Sequence, residues 1–259
     1  MKVRVVTDDA VMTVTIARPE VRNAVDAETA ASLVDAFQEF DATSSLSVAV
    51  LAGEGGTFCA GFDLKSIAAG GGNPITDTGR GPMGPTRMAL GKPVIAAIEG
   101  YAVAGGLELA LWCDLRVAAR NAVLGVFNRR FGVPLIDLGT VRLPRMIGQG
   151  RALDLVLTGR PVGAEEALRI GLVERLVEPG TVLATAQKLA AELATYPVGA
   201  LRADRRSVLN QWSMELGDAT RVEFEAGVGV IASGESLEGA RRFARGAGRH
   251  GDSASQPPA

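Results

Sequence analysis

The alternation of apolar and polar residues divides the chain into a part that mixes strands with helices and a final part that is helical. Apolar positions three and four residues apart predict a helix from Ala27 to about Phe40, with Asp26 as its N-cap. Helical spacing also dominates from Leu201 onward. Short β-branched runs bounded by turn residues predict strands at residues 3–6, 11–17, 48–51 and 94–98. This order of elements indicates the α/β class.

The segments between these elements carry weaker patterns. A strand-like stretch at 57–59 meets a turn at Ala60 and Gly61, and a helix is predicted to begin near Asp63. Residues 69–85 are rich in Gly and Pro, which predicts a mobile loop or lid. Residues 128–150 show few regular repeats and many turn residues before a helix that starts at Gln149. Helices are further predicted at 164–170 and 181–194, with a strand at 171–177.

One carboxylate stands inside the most apolar helix of the chain. Between Ala102 and Cys113 the only charged residue is Glu108, and a helix that is apolar on every face is buried. Two interpretations are open: the side chain escapes to the surface or pairs with a buried Arg, or it is a general acid or base with a raised pKa. Gly105 and Gly106 favour the second, because a helix N-terminus that begins with glycine can stabilise an anion.

Composition narrows the classes of function. Hydrophobic residues make up 47% of the chain and the formal net charge is −2, so a globular protein without a nucleic-acid partner is predicted. No apolar run is long enough to span a membrane and no secretory leader pattern is present, which predicts a cytoplasmic protein. Cys59 and Cys113 are predicted to be buried free thiols. With His250 as the single histidine, a His/Cys metal site and a Ser-His-Asp triad are excluded.

Several stretches together resemble the crotonase superfamily, also called the enoyl-CoA hydratase/isomerase family. They stand in the family's order and at its spacing from about Val11 to Val177, and ESLEGARRFARG resembles its terminal helix. The stretches are ARPEVRNAVD, FCAGFDLK, KPVIAAIEGYAVAGGLELALWCDLRVA, GTVRLPRMIG and LTGRPVGAEEALRIGLVERLV.

The resemblance implies a crotonase-like spiral of ββα repeats with a helical C-terminal trimerisation region. Carried onto this chain, residues 1–195 form the spiral core, 196–249 form the helical region and 250–259 form a disordered tail. The resemblance also implies a homotrimer or a hexamer built as a dimer of trimers. The substrate is an acyl-CoA thioester, so coenzyme A enters as part of the substrate and no metal or tightly bound cofactor is implied.

The same resemblance assigns roles to individual residues. The backbone N–H groups of Phe62 and Gly105 form an oxyanion hole for the thioester oxygen, and Glu108 acts as acid or base. Residues implied to contact coenzyme A or the substrate are Ala60, through its backbone at the adenine, and Arg22, Asp63, Leu64 and Lys65.

The sequence departs from the hydratase pattern at the second catalytic glutamate. Asn128 stands at that position, and an amide is neither an acid nor a base, although it can hold a water or a carbonyl. Asp137 is the candidate replacement, because dienoyl-CoA isomerases of the family carry an aspartate in the same turn. On that reading Asp137 faces Glu108 across the acyl group. The alternative is that Asp137 pairs with Arg142 or Arg129, or caps a turn.

Three functions therefore remain open. Hydration of a trans-2-enoyl-CoA is the first, and double-bond isomerisation of an enoyl- or dienoyl-CoA is the second, because one carboxylate can serve it. A non-catalytic acyl-CoA-binding oligomer is the third, and Asn128 is the feature that keeps it open. A nucleotide-dependent enzyme is disfavoured, because Gly91 and Lys92 are followed by Pro93 rather than by a phosphate-loop pattern, and no strand-linked GxGxxG occurs.

Overall fold

The computed structural model describes residues 1–247 and has the mixed α/β architecture that the sequence predicts. The strands are β1 (Val3–Asp8), β2 (Val11–Ile16), β3 (Val48–Gly53), β4 (Val94–Ile98), β5 (Tyr101–Val103), β6 (Leu115–Ala119), β7 (Val123–Gly125), β8 (Val162–Gly163) and β9 (Arg175–Val177). The helices are α1 (Ala27–Ala42), α2 (Leu64–Ala68), α3 (Gly105–Trp112), α4 (Gly139–Ile147), α5 (Gln149–Thr158), α6 (Ala164–Arg169), α7 (Val182–Ala194), α8 (Val198–Asn210), α9 (Leu216–Ala232) and α10 (Glu235–Ala244).

Two sheets form the centre of the fold. The larger runs in the order β1-β2-β3-β4-β6-β9; β1 and β2 are an antiparallel hairpin, and the other neighbours are parallel. The smaller runs β5-β7-β8. Strands β3 and β4 read as continuous apolar runs because both of their faces are covered. Helix α7 packs against β2, β3, β4 and β6.

Helix α1 follows its sequence signals closely. Asp26 is the N-cap, and its side chain accepts a hydrogen bond from the N–H of Thr29 at 2.8 Å. The predicted apolar positions Leu33, Phe37 and Phe40 are fully buried on the inner face. The buried face of the helix therefore consists of the same apolar positions from which the helix was predicted.

Helix α4 was not predicted. The sequence between residues 128 and 150 suggested turns, yet Gly139–Ile147 is helical and contains Pro144. A proline inside a helix removes one backbone hydrogen bond and argues against the assignment. Burial of Leu143 and Ile147 on one face supplies the compensating stabilisation.

The Gly- and Pro-rich segment is only partly the exposed loop that was predicted. Residues 69–80 are almost all exposed, but residues 81–86 are buried, so the prediction of a mobile loop is wrong for that part. We call residues 81–87 the strap. The strap lies beside α3, and its burial comes from contacts with distant residues rather than from any hydrophobic run of its own.

The final described helices, α8 to α10, leave many apolar side chains in solvent. Helix α8 contacts α9, α9 contacts α10, and Arg205 of α8 bonds Asp114 at 2.8 Å. Exposed apolar residues of these helices include Val208, Leu209, Leu216, Phe224, Val228, Ile231, Leu237 and Phe243. The division at residue 195 stays a prediction, and the tail 250–259 lies outside the described residues.

Candidate active site

The site is built around the start of α3. Strand β5 ends at Val103, and Ala104 adopts φ 54°, a conformation that L-residues rarely take, before the helix begins at Gly105. Gly106 packs directly on the carbonyl oxygen of Cys59, where a Cβ atom would collide. All eight residues of α3 are buried, as its uniformly apolar sequence predicts.

Glu108 is buried inside this helix and bonded by main-chain N–H groups. The residue is 1% exposed, and its Oε1 accepts hydrogen bonds from the N–H of Asp137 and of Gly139, each at 2.9 Å. These donors lie at the N-terminus of α4, where the helix dipole also favours negative charge. Within residues 1–247 Glu108 forms no ion pair, so the alternative of surface escape or Arg pairing is wrong.

The surroundings of Glu108 favour its protonated form. Burial, and after it the nearby negative charge of Asp137, raise the pKa of Glu108 to about 8. The N–H groups of Gly139 and Asp137 and the positive charge of Arg142 oppose this rise. At neutral pH the side chain is mostly a neutral acid, with an ionised form close enough in free energy to act as a base.

Two backbone N–H groups near the start of α3 are free. In the described chain, neither Phe62 N–H nor Gly105 N–H donates a hydrogen bond. Phe62 pairs with Val25 through a bridge that uses the neighbouring groups of Gly61 and Asp63, which leaves its own N–H on the opposite side. A Cβ on Gly61 would lie 2.8 Å from the nitrogen of Gly105, so the two backbone segments approach closely. Such a pair of donors can bind an oxyanion.

A small pocket of about 70 Å³ opens next to these donors. It joins the predicted oxyanion residue Phe62 and the predicted CoA residues Ala60 and Leu64 to side chains that follow β7. Its lining residues are Ala60, Phe62, Leu64, Ala104, Phe127, Asn128, Phe131 and Val133. None of them is charged, so the pocket suits an apolar group.

Asn128 is the one polar side chain in that lining. Its Nδ2 donates to the carbonyl oxygen of Val133 at 2.8 Å, and because a carbonyl only accepts, this bond fixes the orientation of the amide. The other amide atom, Oδ1, is buried and accepts no hydrogen bond from the described residues. A buried acceptor without a donor is costly, so Oδ1 is suited to bind a water or a substrate donor.

Asp137 contacts Glu108 through its main chain and the strap through its side chain. Its Oδ1 accepts hydrogen bonds from the N–H of Met83 at 2.9 Å and from the hydroxyl of Thr86. Its Oδ2 is buried and has no hydrogen-bond partner among residues 1–247, and burial raises the pKa of this carboxyl. The alternative of pairing with Arg142 or Arg129 is wrong, because Arg142 donates to the backbone oxygens of Asp137 and Thr86 rather than to the carboxylate, and Arg129 donates to the backbone oxygen of Val156.

Of the predicted coenzyme A contacts, only Ala60 and Leu64 line the pocket. Ala60 donates its N–H to the backbone oxygen of Arg22 at 3.1 Å, while its own carbonyl accepts no hydrogen bond within residues 1–247. Leu64, Lys65 and Arg22 are exposed. Asp63 differs, because its carboxylate caps α2 through Ser66 and bonds Arg18 at 3.0 Å. Its side chain is therefore engaged within the protein.

Sequence reasoning missed two parts of the site. The strap carries no motif, and only the glycines hint at it: a Cβ on Gly81 would lie 2.5 Å from Oδ1 of Asp137. Gly139 likewise approaches Glu108, where a Cβ would lie 2.8 Å from Oε1. Glycines that mark close approach of distant segments were the available signal.

Disulfides, metal-ligand groups and membrane-spanning helices are absent from the described chain. Both cysteines are buried free thiols, as predicted. Residues 1–247 contain no group of three or more His, Cys, Asp or Glu side chains arranged to hold a metal ion. Among the helices of these residues, none combines the length and the apolar character needed to cross a membrane.

Comparison with known proteins gives a consistent set of matches. The family model described as enoyl-CoA hydratase/isomerase matches residues 7–246. The chain is 35% identical over 239 residues to enoyl-CoA hydratase EchA19 of Mycobacterium tuberculosis, covering 89% of each. It is 40% identical over 190 residues to (E)-benzylidenesuccinyl-CoA hydratase of Thauera aromatica, covering 70% of this chain and 72% of that protein. The crystal structure of enoyl-CoA hydratase EchA1 from Mycobacterium marinum superposes with a TM-score of 0.89 at 37% identity, covering 94% of this chain and 96% of that one.

Proposed function

Because the chain belongs to the enoyl-CoA hydratase/isomerase family, we propose that it hydrates the conjugated double bond of a trans-2-enoyl-CoA, with Glu108 as its acid and base. The observation that carries the proposal is the position of Glu108. It is a buried carboxyl with a pKa of about 8, three residues beyond the free N–H of Gly105. Proton transfer next to a thioester carbonyl needs both groups.

The two free N–H groups serve the thioester oxygen. Phe62 and Gly105 donate to it while negative charge develops there, and the buried, uncharged surroundings strengthen these bonds. Loss of one such donor costs ~3–4 kcal/mol of barrier in comparable sites. The substrate is thereby polarised, so its β-carbon accepts a nucleophile and its α-carbon accepts a proton.

Glu108 completes the addition of water. The oxygen of a water molecule bonds to the β-carbon, the carboxyl of Glu108 gives its proton to the α-carbon, and the proton released by water restores Glu108. Asn128 takes no proton in this scheme. Its unpartnered Oδ1 accepts a hydrogen bond from the attacking water and orients it, in place of the second glutamate that other hydratases use.

Isomerisation of an enoyl- or dienoyl-CoA is the second candidate. The observation that favours it is the amide at position 128, because the pocket lining then contains no acid or base of its own and Glu108 is left as the one proposed proton carrier. A single carboxylate can remove the α-proton and return it at the γ-carbon. Direct proton transfer by Asp137 would require its carboxyl to leave Met83 and Thr86, which hold it now.

Coenzyme A occupies the pocket mouth in this proposal. The free carbonyl of Ala60 accepts a hydrogen bond from the adenine amino group, and the exposed cations of Lys65 and Arg22 face its phosphates. Asp63 contributes by capping α2 rather than by direct contact. The acyl group enters the uncharged pocket beyond Leu64, which favours an apolar acyl chain.

The protein acts as a trimer or a dimer of trimers in this proposal. Helices α9 and α10 leave Phe224, Ile231 and Phe243 each more than 60% exposed, and apolar surface of this extent is characteristic of subunit interfaces. The cytoplasmic location also stays a prediction.

The test compares the wild type with Glu108→Gln on crotonyl-CoA, by following loss of the conjugated thioester absorbance. Gln keeps the acceptor for Asp137 and Gly139, so the variant folds, and turnover falls roughly 100-fold or more because no proton is transferred. Glu39→Gln, on the exposed face of α1, is the matched control and keeps full activity. Unchanged turnover in Glu108→Gln overturns the proposal.

A second assay separates an enzyme from a non-catalytic acyl-CoA-binding protein. In deuterated water an enzyme of either kind exchanges the α-protons of a saturated acyl-CoA, whereas a pure binder exchanges none. Exchange without hydration, together with conversion of a 3-enoyl-CoA, would favour the isomerase.

A further inference from the structure

We propose that Asp137 is a positioning residue that joins the strap, residues 81–87, to the turn that holds Glu108, and so fixes the acid relative to the oxyanion donor Gly105. The inference rests on the proposed function, because it concerns the same site. The strap, however, is a structural element whose attachment can be measured without any substrate.

Asp137 makes its two connections with different parts of the residue. Its main-chain N–H donates to Oε1 of Glu108 at 2.9 Å. Its side-chain Oδ1 accepts from Met83 N–H and from the Thr86 hydroxyl. One residue therefore links the carboxyl of α3 to the strap, whose bonded residues Met83 and Thr86 lie more than fifty positions before Asp137 in the chain.

The strap reaches the oxyanion donor from the other side. A Cβ on Gly105 would lie 2.6 Å from the sulfur of Met83, so the side chain of Met83 lies against the first turn of α3. Met83 is fully buried. Movement of Met83 therefore displaces the backbone that carries the N–H of Gly105, while the side chain of Asp137 holds Met83 by accepting a hydrogen bond from the Met83 N–H.

Two arginines add further hydrogen bonds between the strap and the residues at the start of α4. Arg142 donates to the backbone oxygen of Thr86 at 2.7 Å and to that of Asp137 at 3.2 Å. Arg87 donates to the backbone oxygen of Ile136 at 2.9 Å. These bonds go to carbonyl groups, so the carboxylate of Asp137 is held by neutral donors and its charge is left to act on Glu108.

The charged groups around Glu108 and Asp137 predict in which direction the charge of Asp137 shifts the pKa of Glu108. Glu108 faces Asp137 and Arg142, and Asp137 faces Arg87, Arg142 and Glu108. The negative charge of Asp137 raises the pKa of Glu108, whereas Arg142 lowers it. Removal of the negative charge, with the hydrogen bonds kept, therefore lowers the pKa of Glu108.

The test uses Asp137→Ala, which removes the acceptor, and Asp137→Asn, which keeps Oδ1 but removes the charge. Amide hydrogen exchange of a peptide spanning the strap is measured first, without substrate. We expect exchange roughly tenfold faster in Asp137→Ala and close to wild type in Asp137→Asn. Asp77→Asn, in the exposed part of the loop, is the control and leaves exchange unchanged.

Kinetics on crotonyl-CoA then give the second readout. We expect kcat to fall roughly tenfold or more in Asp137→Ala with little change in KM, because the misplaced groups act on the transition state. Asp137→Asn recovers most of kcat. In this variant the pH at which activity changes with the ionisation of Glu108 moves to a lower value. The inference is overturned if Asp137→Ala shows the same strap exchange and the same kcat as the wild type. It is also overturned if the strap exchanges as fast in Asp137→Asn as it does in Asp137→Ala.

Thr86→Val keeps the inference testable if Asp137→Ala does not fold. This variant removes only the hydroxyl that bonds Asp137 and keeps the shape of a fully buried side chain. We expect faster exchange of the strap and a several-fold lower kcat. Unaltered exchange and kcat in Thr86→Val overturn the inference. If the wild type lacks hydratase and isomerase activity, the proposed function fails, while the exchange measurement still decides whether Asp137 holds the strap.

Discussion

Oε1 of Glu108 lies 2.9 Å from the nitrogen of Gly139, and a Cβ on Gly139 would lie 2.8 Å from the same oxygen. The first residue of α4 thus contacts the proposed acid so closely that it has no room for a side chain. This contact links helix α3, which carries the carboxyl, to a helix that hydrophobic spacing did not predict.

We predict that Gly139→Ala lowers kcat on crotonyl-CoA roughly tenfold or more, because the added methyl displaces the Glu108 carboxyl. The matched control is Gly150→Ala in α5, where a Cβ meets nothing within 4 Å. Gly150→Ala should keep full activity and raise the free energy of unfolding by about 0.5–1 kcal/mol. Equal activity in the two variants would contradict the contact.

The pH dependence of activity distinguishes the two reactions. Hydration begins with Glu108 protonated, so kcat/KM should fall as the pH rises through about 8, the pKa of this group. Isomerisation begins with the ionised form, so its kcat/KM should rise toward the same pH. The measurement is kcat/KM for crotonyl-CoA and for a 3-enoyl-CoA on both sides of that value. A flat profile for both substrates would exclude Glu108 as the acid or base.

The pH dependence of stability follows from the same group. The folded-state pKa of Glu108, about 8, lies above its unfolded value of 4.5, so the folded protein binds the proton more tightly. This contribution to stability is complete below pH 4.5 and is lost as the pH rises through 8. We expect the free energy of unfolding of the wild type to fall by up to a few kcal/mol relative to Glu108→Gln across that window. Denaturant titrations at several pH values test this, and a constant difference would contradict it.

The exposed apolar residues of α9 predict an interface. Phe224, Val228 and Ile231 lie at helical spacing on one face and are 70%, 44% and 66% exposed. Phe224→Glu should convert a trimer or hexamer to smaller species, because a charge cannot be buried there without a partner. Light scattering measures the mass, and Gln38→Glu at an exposed position of α1, which adds the same single negative charge, is the control for charge alone. A monomeric wild type would refute the oligomer.

The sequence predicted those parts of the fold whose signal is local. Helix α1 was predicted from Asp26 and its apolar spacing, and the burial of Glu108 followed from the absence of any polar face around it. Helix α4 was missed because Pro144 argues against a helix, while the burial of Leu143 and Ile147 that stabilises it depends on distant segments.

The site likewise divides into residues that the sequence indicated and contacts that it did not. Motif resemblance selected Phe62, Gly105 and Glu108, and the structure places the free N–H groups and the carboxyl around the same helix start. The partner of the Asp137 side chain was not predictable, because the strap lacks both hydrophobic periodicity and a motif. Hydrogen bonds between residues more than fifty positions apart, such as those to Met83 and Thr86, leave no local pattern in a sequence.

At Ala104 the stability of the backbone and the shape of the pocket make opposite demands on the residue type. The φ of 54° there costs about 1–3 kcal/mol for a residue with a side chain, and glycine would remove that cost. Ala104, however, is one of the residues that line the pocket. Selection for thermal tolerance alone would therefore favour losing the methyl group of Ala104 and widening the cavity. Retaining alanine at this turn keeps the cavity narrow at the expense of a more stable backbone.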